Sequence, residues 1–439
     1  MIAADWTGAY SLPASAQPVA VSFRLHGGQA VVALDRGHAS STNVVVTVRG
    51  THVRFTFPGL PSGLVFDGSV KRGRLAGIVR QGKLRGTFSL RRGRSRVLEL
   101  LGLYRAADGR AVSVVRATGY PAWLVELPSG ATHGIGPSLT VGERLGDTSG
   151  NGQITQEATG IEWRGVHYAR VALRQREVRV GVDAATLTLP PGPGPFPAAV
   201  MVHGSGPQTR EEFQAFAAYL TSIGVAVLAD DKRGVGQSGG RYPGEAATDS
   251  TLDVLARDAQ AEVRFLARTA GIDPGRVGLF GDSQAGWIIA IAAAHEPGVR
   301  WAVPLVGPTA TVGETDLWGT LAGKSQSPPS ATHADMLAQV RTEGPVGFDP
   351  RPSLAKLAIP VFWVYADDDR NVPTDLCIDR LQALKPGHDF SWTVLHGTHA
   401  LLELPSGLYS SLAQSRGFLD GLYPAVGDWL RSRGIVRRR

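Results

Sequence analysis

The chain has 439 residues, enough for two or three domains at about 150 residues each, and its 43% hydrophobic content is enough to fill buried cores. No apolar run approaches the roughly 18 residues of a membrane span, and a single cysteine, Cys377, excludes an internal disulfide while leaving the redox compartment open. The net charge of +7 is uneven: residues 1–96 hold fourteen Lys and Arg against three acids, a net +11, which leaves −4 for the remainder.

Met1 to Trp6 carries neither a basic n-region nor an apolar h-region. A cytoplasmic protein, or an exported one with its signal peptide removed, is expected. Residues 1–96 read as an all-β basic module. Val19–Leu25 and Val44–Val48 are β-branched runs, and His52–Phe57 alternates with period two. Short strands at about ten-residue spacing argue for a small sandwich or barrel. The excess of Arg and Lys reads first as a solvated strand face, and second as a weak contact with an anionic surface. No zinc-finger, helix-turn-helix or aromatic-basic pattern points to nucleic acid.

Residues 97–170 form a second β-rich module, with an Asp108-Gly109 hairpin turn. Asp147-Thr148-Ser149-Gly150-Asn151-Gly152-Gln153-Ile154 mimics the start of a calcium loop. The twelfth position should be a bidentate Glu and is Ala158, so a Gly-rich surface loop is the better reading.

From 171 to 439 the texture becomes α/β. Ala198–Val202, Val225–Ala229, Trp301–Val306 and Ile359–Tyr365 are continuous apolar runs, the mark of strands buried on both faces. Helical stretches alternate with them, at Phe213–Ile223 and Thr251–Ala270. That alternation implies a mostly parallel sheet flanked by helices. The most informative stretch is Gly281-Asp282-Ser283-Gln284-Ala285-Gly286. It lies between an apolar strand and a helix of small and apolar residues, the layout of a nucleophile elbow. So sharp a turn needs small residues two before and two after the Ser, and Gly281 and Ala285 meet that need.

In such sheets, reacting groups gather beyond the carboxyl ends of the strands. Strand ends here are followed by His203-Gly204-Ser205-Gly206-Pro207-Gln208, by Asp230-Asp231-Lys232-Arg233-Gly234-Val235-Gly236-Gln237-Ser238, by the elbow, by Asp367-Asp368-Asp369-Arg370-Asn371-Val372-Pro373, and by His396-Gly397-Thr398-His399. A Ser, an acid and a His thus follow in the order Ser…Asp…His. On residues alone the acid is any of Asp367, Asp368 and Asp369, and the base is His396 or His399.

These motifs, in this order over 171–439, resemble the α/β-hydrolase superfamily, and within it a bacterial serine esterase branch. The resemblance implies the α/β-hydrolase fold. It also implies that the acid stands three residues before Val-Pro, which selects Asp369, and that the base ends Gly-x-His, which selects His399. Ser283 would be the nucleophile, His399 its general base, and Asp369 the group that orients and stabilises the imidazole. The backbone N–H groups of Gln284 and Ser205 would form the oxyanion hole. A small cap is expected over about 307–358, with helical pieces near Glu314–Ala322 and Ala334–Val340.

Other features carry blander readings. His203 is expected to brace its loop. Arg233–Ser238 mimics a phosphate cradle but lacks the Lys-Ser/Thr ending, and reads as a structural turn. The Asp367-Asp368-Asp369 run has no His or further carboxylate at ligand spacing. Trp287 reads as core. No metal or cofactor is expected, and the partner is a small-molecule ester. The function expected is cleavage of carboxylic esters of small to medium acyl chains. Amide or peptide cleavage, or acyl transfer to another acceptor, would use the same groups. The β modules ahead of the catalytic region are placed as in prolyl-oligopeptidases, but no propeller repeat is visible. A non-catalytic binding protein would be expected to have lost one of the three groups.

Overall fold

The computed structural model describes residues 5–13, 19–26, 29–34, 45–57, 64–93, 96–117, 120–136, 138–143, 150–323, 329–401 and 417–437. The chain divides into two compact units. One comprises Met1–Leu127, Ala131–Val171 and Ser411–Gly417, the other Pro128–Gly130, Ala172–Ser410 and Phe418–Arg439.

The second unit is built on one sheet of eight strands: β1 (Arg174–Val180), β2 (Asp183–Leu189), β3 (Phe196–Val202), β4 (Ala226–Asp230), β5 (Ile272–Asp282), β6 (Trp301–Leu305), β7 (Val361–Asp368) and β8 (Phe390–Thr398). Their spatial order is β1-β2-β4-β3-β5-β6-β7-β8. From β4 to β8 every neighbouring pair is parallel. Only β2 runs antiparallel to its neighbours, β1 and β4. Parallel neighbours need long crossovers. These contain helices α1 (Gln214–Ser222), α2 (Asp249–Ala267), α3 (Ala285–His295), α4 (Val312–Leu321), α5 (His333–Glu343) and α6 (Thr374–Leu384), and α7 (Leu422–Ser432) follows β8.

The pattern of each element explains its place. Every residue of β3, β4 and β6 is buried, because helices cover both faces of the sheet. α2 is amphipathic. Its buried Leu252, Leu255, Ala256, Ala259, Val263 and Leu266 recur at three- and four-residue spacing, and Thr248 caps its start by accepting from Thr251 N–H. α3 is apolar almost all round, with Ala285 to Ala292 buried, so it is a core helix rather than a surface one. α4 opens with a full capping box between Thr311 and Glu314. The chain passes from β3 to β4 on one side, then returns across β3 to β5. The sheet therefore switches direction between β3 and β5, and the crevice beyond their carboxyl ends is where ligands of such sheets bind.

In the first unit, strands between Asp5 and Arg92 form a single eight-stranded antiparallel sheet. Strands adjacent in the chain pair with each other except the third and fourth, and the first pairs with the last through Trp6↔Arg92. This is one sheet in the circular strand order of an up-and-down barrel, the second of the two expected forms, and not two facing sheets as a sandwich requires. Leu64–Lys71 alternates buried and half-buried residues, and Tyr10, Phe55, Phe66 and Phe88 pack on its inner face. A seven-stranded sheet between Gly102 and Arg170 has its own apolar cluster around Tyr104, Leu124, Ile161 and Trp163. Thr140–Gly142 pairs with Gly150–Gln153, while Asp147, Thr148 and Ser149 of the calcium-like loop lie outside the described residues.

Candidate active site

The elbow is made by close approach of backbones. β5 ends at Asp282 and α3 begins at Ala285, so the chain reverses around Ser283 and Gln284. Ser283 sits at φ 56°, a left-handed conformation that costs a non-glycine residue about 1–2 kcal/mol. Its N–H donates to Leu305 O at 2.9 Å, which ties the turn to β6. A Cβ on Gly281 would run into Val202 O and lie 2.7 Å from the Ala285 methyl. The small residue at 285 is needed for the same reason. Gly286 matters too, because a Cβ there would stand 2.7 Å from the Gly307 backbone. Nothing in the elbow pattern of the sequence marks that position.

Loops after β5, β7 and β8 bring Ser283, Asp369 and His399 into one hydrogen-bonded chain. His399 Nε2 is 2.9 Å from Ser283 Oγ, and His399 Nδ1 is 2.8 Å from Asp369 Oδ2. The Asp369 side chain is fully buried. Its other oxygen accepts N–H bonds from Asn371 and Val372, each 2.8 Å, so the carboxylate is fixed in place. The Val372-Pro373 that follows thus belongs to the turn that holds the acid. Trp318 of α4 donates its indole N–H to Asp369 O at 2.9 Å, an anchor the sequence reading missed.

The other candidates are placed apart from Ser283. Asp367 pairs with His396, Oδ2 to Nδ1 at 2.9 Å, and accepts Gly397 N–H at 2.9 Å. Asp368 stands 3.8 Å from the Arg370 guanidinium.

The backbone N–H groups of Gln284 and Ser205 donate to no group among the described residues. Gln284 is the residue preceding α3, where the positive end of the helix dipole adds to its N–H. The loop carrying Ser205 lies against the elbow: a Cβ on Gly204 would stand 3.4 Å from Ser283 Cβ. His203 is buried and donates Nε2–H to Asp230 O at 2.8 Å, so it joins the ends of β3 and β4. Lys232, read in the sequence only as part of a turn motif, is 2% exposed and donates Nζ to Gly204 O at 2.7 Å. A buried lysine has no sequence signature. The only hint was its place at a strand end.

The electrostatics of the crevice are set by burial. Burial pushes the Asp282 carboxyl up, against the pull of His399, His203 and Lys232. Behind the strand ends, burial beside Asp258 and Asp230 raises Asp183 to about 7. Trp287 is buried, with its indole N–H on Ala310 O at 2.9 Å. The 233–238 stretch is a turn wrapped on Asp231, whose carboxylate accepts Gln237 N–H at 2.8 Å and holds Arg210 at 2.9 Å. Between β6 and β7 lie α4, α5 and the single helical turn Arg351–Leu354. No helix among the described residues is long and apolar enough to cross a membrane.

Residues 195–339 match the family described as serine aminopeptidase, S33. No curated protein matches the chain. Among solved structures, the chain is similar to Est1E of Butyrivibrio proteoclasticus bound to ferulic acid, with 21% identity over 59% of this chain and 98% of that one and a TM-score of 0.40. It is similar to the esterase Pf2001 of Pyrococcus furiosus, with 15% identity over 60% and 91% and a TM-score of 0.42. It is also similar to 2,6-dihydroxy-pseudo-oxynicotine hydrolase, with 20% identity over 60% and 67% and a TM-score of 0.40.

Proposed function

We propose that this chain is an α/β-hydrolase that cleaves carboxylic esters of small to medium acyl chains through an acyl-enzyme on Ser283. The observation that carries the reading is the continuous chain Ser283 Oγ, His399 Nε2, His399 Nδ1, Asp369 Oδ2, with bonds of 2.9 and 2.8 Å. A serine hydroxyl is a weak nucleophile until a base takes its proton. His399 receives that proton at Nε2 as Oγ attacks the ester carbonyl. The carbonyl π pair moves to oxygen, and the oxyanion faces the N–H groups of Gln284 and Ser205. Asp369 stays ionised and stabilises the imidazolium. The intermediate collapses, His399 gives its proton to the departing alkoxide, and the acyl group remains on Ser283. Water, deprotonated by His399, then releases the acid. Each oxyanion donor is worth about 3–4 kcal/mol in such reactions.

The description of the matched family favours a second reading, cleavage of amide or peptide bonds by the same groups. Acyl transfer to a non-water acceptor would share the acyl-enzyme. A panel of nitrophenyl esters of rising chain length, run beside aminoacyl anilides, separates these. Ester cleavage predicts the highest kcat/KM among the shorter esters. Anilides turned over faster than every ester would replace it with the peptidase reading.

A further inference from the structure

Burying an ammonium is costly, and a buried lysine normally meets a carboxylate. Lys232 instead gives its ammonium to neutral oxygens: Gly204 O at 2.7 Å, Gly206 O at 3.2 Å and Gln284 Oε1 at 3.4 Å. Its backbone N–H donates to Gln208 O at 3.1 Å. It therefore holds the 204–208 loop at three points and the elbow at a fourth. The shortest of these bonds is to the carbonyl of the Gly204–Ser205 peptide, whose other face is the Ser205 N–H. In a trans peptide the C=O and N–H point in opposite directions. A cation on the carbonyl fixes the direction of the N–H. It also polarises the amide, which makes the N–H a stronger donor.

We propose that Lys232 is a positioning residue whose ammonium aims and polarises the Ser205 N–H toward the oxyanion formed at Ser283. This rests on the reading of Ser283 as nucleophile and Ser205 N–H as oxyanion donor. The charge matters as well as the shape, so the rate responds to the ionisation of Lys232. Burial pushes its pKa down from the ordinary 10.5 to about 8, opposed by Asp230, Asp282 and Glu245. Asp230 comes from the end of β4 and is shared with His203, Asp282 is on the elbow, and Glu245 is in the loop before α2. The Tyr242 ring lies 5.8 Å from Nζ. Asp258 and Glu262 of α2 line one cavity with Lys232, and Arg233 there is paired with Asp258. The sign of the linkage separates catalysis from unfolding. The unfolded chain holds the lysine proton up to its ordinary value and the folded chain releases it near 8. This group therefore adds stability as pH rises through that window.

The test is the pH dependence of the full-length enzyme from pH 6 to 10, with a nitrophenyl ester. In parallel, binding is measured for an aryl trifluoromethyl ketone, which forms an oxyanion on the serine, and for the matching carbinol, which cannot. Wild-type kcat should rise with deprotonation of the base, then fall with an apparent pKa near 8. KM should change less than about threefold, because substrate binding precedes the oxyanion. Ketone affinity should fall along the same limb while carbinol affinity stays flat. Lys232→Met should lower kcat by about a hundredfold, the loss seen when one oxyanion donor is removed, and should lack the alkaline limb. Wild-type kcat flat to pH 10, ketone and carbinol weakening together, or a folded Lys232→Met with wild-type kcat would each overturn the proposal. Should Lys232→Met not fold by circular dichroism, the wild-type ketone and carbinol pair decides alone. Failure of the underlying reading looks different: the ketone would then bind no better than the carbinol at any pH.

Discussion

Two Asp–His pairs join the carboxyl-terminal ends of the same two strands, β7 and β8, one just inside the strands and one just beyond them. Asp369 meets His399 with Oδ2 to Nδ1 at 2.8 Å, and Asp367 meets His396 with the same atoms at 2.9 Å. Each aspartate also uses its Oδ1 to accept backbone N–H bonds. The pairs differ in their surroundings. The Asp369 side chain is fully buried and that of His399 is 18% exposed, against 47% and 80% for Asp367 and His396. Only His399 has its far nitrogen on Ser283. An Asp–His hydrogen bond therefore does not by itself make a base. Burial of the acid, and an imidazole aimed at a nucleophile, separate the first pair from the second. The exposed pair reads as a clasp between the ends of β7 and β8.

The largest way to break this contrast is at the nucleophile. Ser283→Ala should lower ester kcat by several orders of magnitude with an unchanged circular dichroism spectrum, whereas neither member of the exposed pair should approach that loss. Next is the buried acid. Asp369→Asn keeps the shape but favours the wrong imidazole tautomer, and kcat should fall by about 10³–10⁴. A loss of that size in Asp367→Asn, with Asp369→Asn mild, would exchange the roles of the two pairs.

The exposed pair should move stability instead, and only slightly. Partial burial pushes the Asp367 carboxyl up, but His396 and the Gly397 N–H outweigh it and hold it below the usual range. A carboxylate with a depressed folded pKa adds stability above its ordinary pKa and loses it as pH falls through the folded value. Asp367→Asn should therefore melt below wild type near neutral pH, and the two should converge below about pH 4. The exposure of the pair keeps the difference under about 1 kcal/mol, and kcat should change less than threefold.

The smallest expected effect lies far from either pair. Lys71, Arg72, Arg74, Arg80, Lys83, Arg85, Arg91 and Arg92 are all exposed on the first unit. We propose a weak contact between these residues and anionic surfaces. Co-sedimentation with anionic vesicles should be measurable at low salt and vanish by roughly 0.3 M, as the Debye length shrinks below about 10 Å. Binding absent at low salt would leave these residues as a solvated strand face.

The sequence shows the elbow because its demands are local. A turn this tight needs Gly281 and Ala285 at fixed offsets from Ser283, and the clashes a Cβ would meet at 281 are the physical form of that rule. β3, β4, β6 and β7 are legible for a similar reason, since strands buried on both faces read as apolar runs. β2 reads as alternating, yet all its residues but Thr186 are buried, because it lies inside the sheet between β1 and β4. The choice between Asp367 and Asp369 is not legible from residue type or spacing. Three consecutive aspartates differ only in where the turn after β7 sends each side chain, and the family resemblance, not the residues, made the choice. Lys232 and Trp318 escape the sequence because their roles depend on burial against loops distant in the chain.

Every proposed role in the crevice depends on Ser283 being the group that attacks. Treatment of the full-length protein with a fluorophosphonate, followed by intact mass and peptide mapping, tests it in one step. One adduct per chain is expected, on the peptide containing Ser283, forming at a rate that collapses in His399→Ala. An adduct on any other residue, or none at concentrations that inactivate serine esterases, would contradict it.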